Sequence, residues 1–129
     1  MLTGKSILIA EDNVYLALDL SLAVEEINGR VIGPVGSVAE ALGLLEDQPV
    51  AAAILDSRLA NRDVTPVAKA LAARDVPYII HTSSGLPAGV ARLHPDAPLL
   101  VQPLHAEAIV AGLLGEMQRS RRPRRQARG

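Results

Sequence analysis

The sequence predicts a doubly wound α/β fold built on a five-stranded parallel sheet. Three observations predict it. Short apolar runs alternate five times with stretches of helical character, and no interior linker or repeat divides the chain. The run Val50–Asp56 (VAAAILD) is continuously apolar until its final acid, as expected of a central strand covered on both faces. The first and third apolar runs both end in carboxylates. The 129 residues are 49% hydrophobic and 21% charged, which suits one globular domain able to bury roughly two-thirds of its unfolded surface.

Each element follows from its residues. Ser6–Ala10 (SILIA) is a short buried strand. Asn13 caps a helix through Ile27, and Gly29 closes it. Val14, Leu16, Leu18, Leu20, Leu22 and Val24 alternate as in a strand, but the stretch is too long for one and rich in Leu and Ala, so helix is expected. Arg30–Gly36 is the second strand, and Pro34 inside it demands a sheet edge. Ser37 and Glu40 form a capping box for a helix to about Asp47. After the third strand, Thr65-Pro66 opens a helix to about Arg74, with Pro at its first position. Pro77–Thr82 is the fourth strand. Residues 84–97 hold only a short helix around Ala88–Leu93. Pro98–Val101 is the fifth strand. Ala106, Ile109, Val110, Leu113, Leu114 and Met117 then recur at helical spacing. Right-handed crossovers favour the flavodoxin-like strand order 2-1-3-4-5, with strand 2 at an edge as Pro34 requires.

Composition excludes several classes of function. With no Cys there is no disulfide scaffold, thiolate nucleophile or cysteine zinc site. Two Tyr with no Phe or Trp give no platform for stacking bases. No apolar run reaches the roughly 18 residues of a membrane span, and residues 1–20 lack a secretory pattern, so a cytoplasmic location is expected. Charge is uneven: residues 1–118 hold seven basic residues against fourteen acids, whereas 119–129 hold six arginines and no acid. The expected division is a folded domain over 1–118 and a disordered basic tail over 119–129. Nucleic acid is not expected as a partner, because the acidic body repels phosphates and no base-reading element is visible.

In sheets of this order, ligands bind beyond the carboxyl ends of the strands, near the switch point between strands 1 and 3. Strand 1 ends in Glu11-Asp12 and strand 3 in Asp56. Three clustered carboxylates repel one another, and a hard divalent cation relieves the repulsion. Strand 4 brings the Thr82 hydroxyl to the same rim, and strand 5 ends at Gln102-Pro103.

These residues resemble a bacterial two-component response-regulator receiver domain over roughly residues 5–117. ILIAED, the lone acid of AAAILDSRLA, PYIIHTS and VQP fall in the family's order, and 44 residues separate Asp12 from Asp56. The stretch around Pro77-Tyr78 and Thr82-Ser83-Ser84 is also similar to a subgroup of small alphaproteobacterial receivers. The resemblance implies a single-domain regulator that takes a phosphoryl group on Asp56 from a histidine kinase or phosphotransfer protein. It implies Mg²⁺ held by Glu11, Asp12, Asp56 and the backbone carbonyl of Arg58, with Thr82 and Gln102 against the phosphoryl group. It also implies a downstream protein partner, a homodimer as one assembly, and no enzymatic activity beyond slow self-dephosphorylation.

The chain departs from the family at Gln102, where receivers carry Lys. A neutral amide in place of that cation removes about 1–2 kcal/mol of phosphoryl stabilisation. Arg58, Arg62 and His105 are the cations near enough in sequence to compensate. The alternative expectation is a pseudo-receiver, a protein-interaction module indifferent to phosphorylation.

Overall fold

The structure is a computed structural model. It describes residues 2–82, 85–93, 99–101 and 105–120, and only the backbone of 99–101 and Ser120. Gln102 and residues 121–129 of the basic tail lie outside the described residues.

Five parallel strands form the main sheet: β1 (Ser6–Ala10), β2 (Arg30–Val35), β3 (Ala52–Asp56), β6 (Tyr78–Thr82) and β7 (Leu99–Val101). Their order is β2-β1-β3-β6-β7, the expected topology, with Pro34 on the edge strand β2. The ladder between β1 and β2 slips between Leu8 and Ala10, where the two residues Gly33 and Pro34 stand against the single residue Ile9. Gly33 takes a φ of 96°, open to glycine without steric cost.

Helices α1 (Val14–Glu26) and α5 (Ala106–Ser120) cover one face of the sheet; α2 (Val38–Asp47), α3 (Thr65–Ala73) and α4 (Ala88–Leu93) cover the other. The first layer packs Ile7, Ile9, Ile54 and Ile79 against Leu20, Val24, Ile109 and Leu113. The second packs Leu8, Leu55 and Ile80 against Leu45, Leu71 and Val90. Each fully buried Leu or Ile contributes about 1.5–3 kcal/mol of hydrophobic stabilisation.

Local chemistry explains where the elements end. The Asn13 side chain accepts hydrogen bonds from the Tyr15 and Leu16 amides and starts α1. Asn28, with a φ of 69°, rather than Gly29, makes the left-handed turn that closes α1. The Gly29 amide then donates to the Val24 carbonyl at 3.0 Å. Gly29 is needed for space instead: a Cβ there would lie 2.7 Å from Val24 Cγ1. At α2, the Ser37 hydroxyl accepts from the Glu40 amide. Glu40 reaches back to the Gly36 amide, one residue earlier than a standard capping box. In α3, Thr65 holds the first helical position, so Pro66 sits second, and Asp63 Oδ1 accepts from the Thr65 amide and hydroxyl.

Two further features differ from expectation. Between β3 and α3, the two-residue strands β4 (Arg58–Leu59) and β5 (Arg62–Asp63) form a small hairpin. It turns at Ala60 and Asn61, whose φ values are 49° and 66°. At the other end of the chain, α5 runs to Ser120, so Arg119 is helical rather than part of a disordered tail. Arg119 pairs there with Glu116 at 2.9 Å.

Candidate functional site

Parallel pairing sets the site. Ile9 of β1 lies opposite Ile54 of β3, which lies opposite Ile79 of β6. Side chains repeat every two residues along a strand, so the next row on that face is Glu11, Asp56 and His81. Asp56 and His81 are direct register partners. The row sits at the carboxyl end of the sheet, directly above the isoleucine layer, on three adjacent strands.

These three side chains each offer a ligand atom, all within 4.8 Å of one another. His81 is fully buried, and its Nε2 lies 3.0 Å from Glu11 Oε1. Glu11 Oε2 accepts from the Asn13 amide at 2.9 Å. Burial pushes the Glu11 carboxyl up, but hydrogen bonds from His81 and Asn13 and the charge on His81 outweigh it, leaving it below its usual value. Asp56 behaves oppositely. Burial, followed by the repulsion of the Glu11 carboxylate, pushes it up to about 7.

The remaining expected residues are placed differently. Asp12 turns away from the row, and its Oδ2 accepts from the Ala60 amide of the hairpin at 2.9 Å. Thr82, one residue beyond His81, faces the other side of the sheet. Its hydroxyl is buried and lies 2.7 Å from Ser57 Oγ, and it also bonds both the amide and the carbonyl of Gly85. The Arg58 amide points at Asp56 Oδ1 at 3.4 Å, while its guanidinium donates to the Asn61 carbonyl. Arg62 and His105 are exposed. The structure thus brings Glu11 and Asp56 together and holds Asp12 and Thr82 beside them, in contacts of their own.

Sequence reading missed His81 and Ser57. The signal for His81 was present: it shares the two-residue phase of Ile79, as Glu11 shares that of Ile9 and Asp56 that of Ile54. Ser57 follows Asp56 as Thr82 follows His81, so the two hydroxyls meet on the opposite face.

The donor set fits a divalent cation, since two carboxylates and an imidazole converge within the reach of one ion. It is not the all-oxygen set expected from the sequence, because the imidazole lies in the row with Glu11 and Asp56 while Asp12 bonds the Ala60 amide.

No family model and no curated protein matches the chain. Solved structures do. SdrG from Sphingomonas melonis Fr1 is 36% identical, with 91% of this chain and 97% of that one aligned and a TM-score of 0.73. A BeF3-activated conformation of SdrG, from Pseudomonas melonis Fr1, is 37% identical over 88% of this chain and 99% of that one, with a TM-score of 0.66. A CheY-like response-regulator receiver domain from Methanospirillum hungatei JF-1 shares the fold at a TM-score of 0.77 and 19% identity, with both chains fully aligned. The chain is a response-regulator receiver domain.

Two-component signalling is therefore the setting of this receiver. Its acidic row lies at the switch point between β1 and β3, where α/β sheets of this topology bind ligands. Among the described residues of the receiver, no helix is long and apolar enough to cross a membrane.

Proposed function

We propose that this receiver takes a phosphoryl group on Asp56 and signals through protein contacts. The observation that carries the reading is the half-buried Asp56 carboxylate at the mouth of the Glu11–Asp56–His81 row. In the transfer, an Asp56 oxygen attacks the phosphorus of a phosphohistidine; the nitrogen–phosphorus bond breaks and an acyl phosphate forms. The nucleophile must be ionised, and the neighbouring Glu11 carboxylate opposes that ionisation. A divalent cation, Mg²⁺ in the family, supplies the charge neutralisation that phosphoryl transfer requires. Glu11 and Asp56 would hold it, with the Arg58 carbonyl at the loop; Asp12 would join on release from Ala60. Thr82 and Gln102 would meet the phosphoryl oxygens, Thr82 on exchanging its bond to Ser57. The domain is not an enzyme in this reading, and a cytoplasmic location suits it.

The donor is a histidine kinase or phosphotransfer protein, and α1 is the face that suits it. Val14, Leu18 and Leu22 form an exposed apolar stripe, with Tyr15 82% exposed beside it. The stripe borders an open groove of about 690 Å³ that also reaches Glu11 and Asp12. A helix docked there would place its phosphohistidine next to Asp56.

A second reading, the pseudo-receiver, draws on a different observation. Asp12 is engaged by Ala60 and Glu11 by His81, so two of the three acids already have partners within the protein. Trifluoroberyllate separates the two readings, since it is a tetrahedral stand-in for a carboxylate-bound phosphoryl group. A bound ¹⁹F resonance that appears with Mg²⁺ and is absent in Asp56→Asn supports the acceptor. Free fluoride species alone, with folded protein, support the module.

A further inference from the structure

We propose that His81 is a metal ligand, and that it turns the acidic crevice into a mixed carboxylate–imidazole site preferring a borderline divalent cation such as Zn²⁺ or Co²⁺ over Mg²⁺. The inference deepens the acceptor reading and rests on it.

The argument is geometric and chemical. Strand register places His81 directly beside Asp56, and the two-residue repeat aims both toward the side occupied by Glu11. The three ligand atoms lie within 4.8 Å of one another. His81 is fully buried, so the site holds its imidazole in place before any ion arrives. A buried imidazole needs a partner for each ring nitrogen, and neutral protein groups commonly supply both. This one faces two carboxylates. Mg²⁺ favours oxygen donors and retains water, whereas imidazole suits zinc and its transition-metal neighbours. Two carboxylates and one imidazole leave positions for water or a phosphoryl oxygen on the exposed side, the arrangement of an open rather than a closed metal site. Asp12 does not compete for the site, since its carboxylate accepts from the Ala60 amide instead.

The test uses the whole protein, free of any histidine tag, with Co²⁺ and Zn²⁺ alone as probes. The proposal expects ¹⁵N imidazole resonances of His81 to shift on adding Zn²⁺, with His94 and His105 as internal references. It expects visible Co²⁺ absorption, and at least tenfold weaker Co²⁺ binding in His81→Leu. Unmoved His81 resonances in the wild type overturn the proposal, and that readout needs no variant to fold. Equal Co²⁺ affinity in folded His81→Leu does the same. If His81 stays silent while Asp56 still takes phosphoryl from acetyl phosphate with Mg²⁺, this inference falls and the acceptor reading stands. If neither metal nor phosphoryl reaches Asp56, both fall.

Discussion

His81 Nε2 lies 3.0 Å from Glu11 Oε1, and neither side chain is more than 2% exposed. The contact joins the ends of two strands that are not neighbours: β3, carrying Asp56, runs between β1 and β6. Asp56 is thereby held between a carboxylate kept ionised and an imidazole. Its own charge is disfavoured, and the metal-free site stores that cost.

The first prediction concerns pH. Asp56 holds its proton up to about 7 in the folded protein, above its ordinary value of 3.8. A raised acid pKa favours the fold at low pH, and that benefit is lost as pH rises through the folded value. The metal-free protein should therefore lose stability between about pH 4 and pH 7. Allowing for the partial exposure of Asp56, the loss is on the order of 1–2 kcal/mol. Urea midpoints from pH 5 to pH 8 should show the decline in the wild type and a flatter profile in Asp56→Asn. Parallel profiles would remove Asp56 as its source.

The Ser57–Thr82 hydroxyl pair should behave as a coupled unit. Thr82→Val strips the buried Ser57 hydroxyl of its 2.7 Å partner, at a cost of about 1–3 kcal/mol. Adding Ser57→Ala removes the orphaned group, so the double variant should lose less than the two singles summed. Denaturant unfolding of all four proteins reads the coupling. Strict additivity would mean the pair is incidental.

Asp12 anchors the hairpin through one exposed bond to Ala60. Asp12→Ala should cost about 1 kcal/mol or less, because solvent screens that carboxylate. Amide exchange over residues 58–63 should nevertheless accelerate, since this contact ties the hairpin turn to the end of β1. Unchanged exchange at Ala60 would show that the contact does not order the loop.

On the acceptor reading, Gln102 stands where the receiver resemblance implies a cation against the phosphoryl group. Gln102→Lys then restores about 1–2 kcal/mol, which is roughly a 5–30-fold gain in the rate of acetyl-phosphate labelling. A stopped-flow or quench series measures it. No gain would mean that another cation already fills the role.

The sheet was legible because its signals are local. Ser6–Ala10 and Ala88–Leu93 match their expected bounds, and Pro34 marked the edge strand. Helix α1 was ambiguous for a physical reason. Leu20 and Val24 serve the core while Val14, Leu18 and Leu22 are exposed, so apolar residues exceed what one buried face needs. The β4–β5 hairpin escaped notice because two-residue strands of mostly charged residues carry no apolar alternation, and Ala60-Asn61 is not a strong turn signal. Glu11 and Asp56 were legible as strand-end acids. The partners of Asp12 and His81 were not, because both contacts cross long stretches of chain and depend on register.

The most direct test is acetyl-phosphate labelling read by intact mass, with and without divalent cation. The account predicts a cation-dependent gain of one phosphoryl group that disappears in Asp56→Asn. A folded protein that gains nothing under either condition, or a gain that survives in Asp56→Asn, would contradict Asp56 as the acceptor.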